Sequence, residues 1–255
     1  MKDTVVGTIM PVLNMELQPG ESIISESGEL SWLTSSIGIE TATGFGASKA
    51  GVMGVLKRAV SGGSIFMSKY TAQGGVGVVS FATKLPGAIF PIDISPQPGG
   101  IWLGHRHAFV CGTDSVELTF GFQQRLGAGF FGGNGFILQK MAGQGRAWVE
   151  LSGEVITVDL QPGENIRVHP GHVGLFQDTV NFDITTVPGI KNKIFGGDGL
   201  FLASLTGPGR VYLQSLTIGG LAAKIAEYLP SSGGDGGNSV AGGGILGAFL
   251  GGDSS

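Results

Sequence analysis

The sequence predicts an all-β protein of three tandem β-sandwich-like repeats in a pseudo-threefold arrangement, with one short inserted helix and one C-terminal helix. Three observations predict it. Glycine is extreme, at 48 of 255 residues, yet the glycines alternate with Val, Ile, Leu and Phe in strand-length runs. A Pro-Gly turn recurs three times, and a Gly-pair motif recurs three times in step with it.

The turn copies are LQPGESI from Leu17, SPQPGGIW from Ser95 and LQPGENI from Leu160. Proline fixes φ and the following glycine accepts positive φ, the requirement of a type II turn. The second motif opens at Gly62, Gly132 and Gly196. Each copy reads as a hairpin: an apolar run, a Gly-rich turn (Ala72 to Gly75, Ala142 to Gly145, Thr206 to Gly209) and a second run. Pro98 to Pro162 spans 64 residues, as does Gly132 to Gly196, whereas Pro19 to Pro98 spans 79. The first copy therefore carries insertions. The repeats fall at about 1–93, 94–157 and 158–218, within a domain of residues 1–230. One such unit is too small to bury both sheet faces, so three must share a core.

The larger insertion lies between Gly44 and Gly62. Val52, Met53, Leu56 and Val60 recur there at helical spacing, beside Lys57 and Arg58. Val52, Met53, Leu56, Lys57 and Arg58 are the candidate interaction residues. The segment reads either as a helix that caps the β core or as a basic amphipathic helix that touches a membrane surface or partner. A second helix is expected over 219–229, stopped by Pro230. Residues 231–255 have the composition of a flexible Gly-rich tail.

Little points to catalysis. Carboxylates are scattered, and no Ser-His-Asp order stands out. Cys111 is the single cysteine and reads as a buried structural thiol. Gly127, Gly129 and Gly132 match GxGxxG, but they lead into the repeated motif instead of a helix, so no dinucleotide is expected. Seven residues after each turn proline stand Glu26, His105 and His169. A threefold arrangement could gather these into a two-His, one-carboxylate metal site. Nothing in the sequence turns that position toward an axis, so the expectation is half-exposed polar residues, no metal and no cofactor. Charged residues are only 13% and the net charge is -4, which argues against DNA and against RNA.

The stretch GVMGVLKRAVSGGSIFMSKYTAQGGVGVVSF, from Gly51 to Phe81, resembles the hallmark of the altered-inheritance-of-mitochondria family. The LQPGE turns and the segments from Gly135 to Gly153 and from Phe195 are similar too. The resemblance covers the chain to about Pro230. It implies three repeated β units, each similar to the tryptophan-RNA-binding attenuation protein, and carries no catalytic residues. For the mitochondrial relatives it implies a role in organising inner-membrane assemblies.

The expected function is thus a non-enzymatic, homo-oligomeric scaffold or interaction protein acting at a membrane surface. Fold analogy offers a second reading, a small-ligand or RNA-binding ring. The partners expected are further copies of the chain and either a protein or an anionic membrane surface. With no signal-peptide or transit-peptide pattern at the start and no spanning run, the expected location is cytoplasmic, peripheral to a membrane.

Overall fold

A computed structural model describes residues 1–43, 66–124, 136–186 and 201–229. The described chain is mostly β, with nineteen strands in four sheets and one α-helix. Sheet A has the order β1 (Lys2–Val6), β2 (Val12–Leu17), β7 (Gly77–Ala82), β4 (Trp32–Leu33). Sheet B runs β5 (Ile37–Thr43), β6 (Phe66–Ala72), β3 (Ser22–Glu26), β10 (Phe109–Thr113), β13 (Gly145–Ser152), β8 (Gly87–Ile94). Sheet C runs β11 (Val116–Gln124), β12 (Phe136–Gly143), β9 (Trp102–His105), β16 (Val173–Gln177), β19 (Gly209–Gln214), β14 (Val155–Leu160). Sheet D runs β15 (Asn165–Val168), β18 (Phe201–Thr206), β17 (Asn181–Thr186). Every pairing is antiparallel.

The sheets stack face to face around three cores. Leu13, Met15 and Phe81 of sheet A pack against Ile23, Tyr70 and Trp148 of sheet B. The opposite face of sheet B, with Ile24, Phe109 and Val149, packs against Trp102, Met141 and Leu175 of sheet C. Leu138, Phe176 and Val211 then close over Ala203 and Leu205 of sheet D. This layering explains the burial patterns. β2 has one buried face and alternates, whereas β3 and β10 bury consecutive residues because both faces of sheet B are covered.

Both repeated turns carry the chain between sheets. The Pro-Gly turns join β2 to β3, β8 to β9 and β14 to β15, and each pair of strands lies in two different sheets. Gly20, Gly99 and Gly163 have φ of 85, 82 and 82°, as the turn chemistry requires. The expected hairpins at the second motif are not hairpins. β6 and β7, β12 and β13, and β18 and β19 each divide between sheets, because both runs are apolar and serve opposite walls of one core. In two places the two kinds of turn hold each other. Gly20 N donates to Ala72 O at 2.9 Å and Ala72 N to Glu21 O at 3.0 Å. Gly163 N donates to Gly207 O at 3.3 Å and Gly207 N to Glu164 O at 2.9 Å. Contact of this kind is a physical reason for two motifs to keep step along the chain.

Helix α1 spans Ile218–Ala226, slightly earlier than expected, with Thr217 accepting from Gly220 N as its N-cap. None of its residues is buried. The inserted helix expected between Gly44 and Gly62 falls outside the described residues, as does the tail.

Candidate functional site: open sheet edges and a buried polar joint

Val52, Met53, Leu56, Lys57 and Arg58 lie outside the described residues. So do Gly127, Gly129 and Gly132, although β12 begins at Phe136, where a dinucleotide site would need a helix. Glu26 ends β3, His105 ends β9, and His169 directly follows β15. They occupy matching places but are not gathered: among the described residues no group of three or more His, Cys, Asp or Glu is placed to hold a metal ion. Each begins the same tight turn, with Glu29 N, Ala108 N and His172 N donating to Glu26 O, His105 O and His169 O at 3.2, 2.9 and 2.9 Å. That local role accounts for the spacing found in the sequence.

Two of the three do enter a polar joint above the core between sheets B and C. Gln139 Nε2 of β12 donates to Glu26 Oε2 at 2.9 Å, tying the two sheets together. Burial raises the Glu26 carboxyl pKa, and the Gln139 bond partly offsets it. Burial likewise lowers the His105 imidazole to about 4, helped by His107, so the ring is neutral near pH 7. His105 Nδ1 accepts from His107 N at 3.2 Å, while Gln139 Oε1 is buried without a protein partner. On the other face of sheet B, turned away from Val149 and Leu151, Glu150 of β13 is pushed up to about 7, by burial first and then by the charge of Glu29, with Lys84 pulling the other way. Lys84 itself is ion-paired with Glu29. Sequence reading missed Glu150. Its signal was a lone carboxylate between Val149 and Leu151 in an apolar run.

Cys111 is buried, and burial holds its thiol pKa well above the ordinary range. Such a thiol is poorly nucleophilic, in keeping with a packing role. The Glu26–Gln139 bond makes the joint a polar tie between sheets B and C.

The other feature is at the ends of the stack. β4 pairs with β7 on one side only, and β15 pairs with β18 on one side only. They do not pair with each other. Trp32 on β4 is 54% exposed, although it stands on a strand. Further apolar side chains are exposed at Val6, Ile9 and Met10 near the β1–β2 turn, and at Ile218, Ile225 and Tyr228 in and just after α1. No helix among the described residues is long and apolar enough to cross a membrane.

Comparison with known proteins places this architecture. The fold is similar to the X-ray crystal structure of a Streptococcus pyogenes protein, with a TM-score of 0.68 and 22% identity over 89% of this chain and 99% of that one. The sequence is similar to an uncharacterised protein of Streptococcus pyogenes serotype M6, 25% identical over 225 residues, covering 87% of this chain and 88% of the relative. The family model described as mitochondrial biogenesis AIM24 matches residues 4–216, from the third residue of β1 to just before α1, and the chain therefore belongs to the AIM24 family.

Proposed function

We propose that the protein is a non-enzymatic, homo-oligomeric scaffold, built from three copies of one six-stranded unit (β2 to β7, β8 to β13 and β14 to β19) joined in a row. The observation that carries the oligomer is the pair of open sheet edges at β4 and β15, one of them bearing an exposed tryptophan. Strand edges left bare are templates for pairing, and proteins ordinarily cover them. The unit reading is supported by recurring pairings: β3 with β6 and β10, and β9 with β12 and β16. Light scattering at micromolar concentration is expected to give a multiple of the 26.1 kDa chain mass. A monomer mass alone overturns the proposal.

The place of action is a cytoplasmic membrane surface, reached through the basic apolar segment from Gly51 to Val60. Each basic residue near an anionic surface contributes about 1 kcal/mol, so one copy holds weakly and an assembly holds through avidity. Flotation with anionic vesicles is expected to recover the parent and to lose the Lys57→Glu, Arg58→Glu double variant. Equal flotation of both, or none of the parent, removes the membrane role and leaves the scaffold.

A further inference from the structure

The two joints already present inside the chain specify what fits the open edges. Trp32, Cys111 and Leu175 each lie thirteen residues after a turn proline, Pro19, Pro98 or Pro162. Ser25, Gly104 and Val168 each lie six residues after the same prolines. In the first joint Cys111 of β10 is opposite Ser25 of β3, with Gly112 opposite Ile24 and Thr113 opposite Ile23. In the second, Leu175 of β16 is opposite Gly104 of β9, with Phe176 opposite Leu103 and Gln177 opposite Trp102. The register is identical. Both joining strands also carry a register shift at matching places, Phe109/Cys111 and Val173/Leu175. Continued once more, the rule sets Trp32 opposite Val168, Leu33 opposite Arg167 and Thr34 opposite Ile166.

Exposure follows the same comparison. Cys111 and Leu175 are fully buried, each in the core of the preceding layer, whereas Trp32 has no preceding layer and is exposed. On β15, the Gly207 N to Glu164 O bond sets the alternation, so the amides of Asn165 and Arg167 face the open edge. Resting on the scaffold reading above, we infer that β15 of one copy pairs antiparallel with the Trp32–Leu33 strand of a second copy, in this register. Sheets D and A then become one seven-stranded sheet, in which the six strands other than β1 follow the same order of counterparts as B and C. Trp32 is covered by the neighbour's core between sheets C and D, as Cys111 and Leu175 are covered within the chain. Arg167 stands where Ile24 and Leu103 stand. It is exposed and makes no ion pair among the described residues, so its long stem is free to cover an apolar neighbour while the guanidinium stays in water. The contact is head-to-tail, so it propagates into a ring or a filament.

The test uses two full-length single variants, Trp32→Cys and Val168→Cys, with Cys111 left in place because its thiol is buried and unreactive. Opposed residues at a site of this kind approach closely enough for a disulfide. Under mild oxidation the mixture is expected to yield a cross-linked dimer that neither variant yields alone. Arg167→Pro, which removes only an outward amide, is expected to lower the assembled mass with little change in melting. Three results overturn the inference. The mixture fails to cross-link although light scattering still shows assembly, in which case the scaffold reading survives. A chain carrying both Trp32→Cys and Val168→Cys cross-links within itself, which means the chain closes on itself. Both proteins are monomeric, in which case the scaffold reading falls as well.

Discussion

Burial drives the pKa values of Glu150 and His105 in opposite directions. The Glu150 pKa is raised from 4.5 to about 7, so the fold favours the neutral acid. Its contribution to stability is complete below about pH 4.5 and is lost as pH rises through 7. The His105 pKa is lowered from 6.5 to about 4, so the fold favours the neutral ring. That contribution is complete above about pH 6.5 and is lost as pH falls through 4. Between roughly pH 4.5 and 6.5 the two slopes oppose each other. Glu150→Gln removes one of them. Its stability relative to the parent is expected to be greater at pH 7.5 than at pH 5, measured by urea unfolding at both. A pH-independent difference would mean that Glu150 titrates normally. Backbone geometry gives a second expectation. Gly145 and Gly209 have φ of 132 and 144°, and a Cβ would lie 2.1 Å from Thr113 Oγ1 in the first and 2.6 Å from Thr179 Oγ1 in the second. Gly145→Val and Gly209→Val should each cost about 1–3 kcal/mol, read as a lower denaturant midpoint at unchanged slope. Melting with the parent would show that the turns tolerate a side chain.

Strands and turns were legible in the sequence where local chemistry decides them. The Pro-Gly turns at Pro19, Pro98 and Pro162 needed only the conformational limits of two residues. The helix expected over 219–229 was legible as an element, but it ends at Ala226, short of Pro230, which lies outside the described residues. The pairing partners were not legible. Both runs of GRAWVELS and its preceding FILQKMAG are apolar, and such a pair reads equally as a hairpin or as two walls of a core. Only the stacking of sheets B and C decides for the second. The candidate set Glu26, His105 and His169 was visible as a spacing, but its meaning was a repeated tight turn. Trp32 was invisible as an edge residue, because a tryptophan in a short apolar run ordinarily signals a core. β3 shows how burial on two faces is checked. Ile23 belongs to the core between A and B, and Ile24 to the core between B and C. Ile23→Val and Ile24→Val should each cost about 0.5–1.5 kcal/mol. Because they point into different cores, the double variant should equal the sum within about 0.5 kcal/mol. A neutral Ile24→Val would mean that sheet C does not close over β3.

At the scale of the whole molecule, the three cores are not separate bodies, because sheets B and C each serve as a wall for two of them. Removing one core exposes the apolar back of a sheet that another core needs. At about 25 cal/mol per Å² of apolar surface, that exposure costs more than a small unit retains in net stability. The stack should therefore unfold as one body, even though its outermost layers share no residues. The indoles offer local reporters. Trp148 lies in the core between A and B, where its Nε1 donates to Asp3 Oδ2 at 3.2 Å, and Trp102 lies between B and C. Leu205 is fully buried at the far end, between C and D. Leu205→Ala should cost about 2–5 kcal/mol by leaving a cavity. If the layers are coupled, a variant keeping Trp148 as its single tryptophan should report that full loss, with a midpoint equal to that seen by circular dichroism. If the layers unfold independently, Trp148 fluorescence will keep the parent midpoint while a second, earlier transition appears in the circular dichroism. The first outcome ties the distant cores through the two shared sheets. The second would reduce the stack to a row of autonomous units.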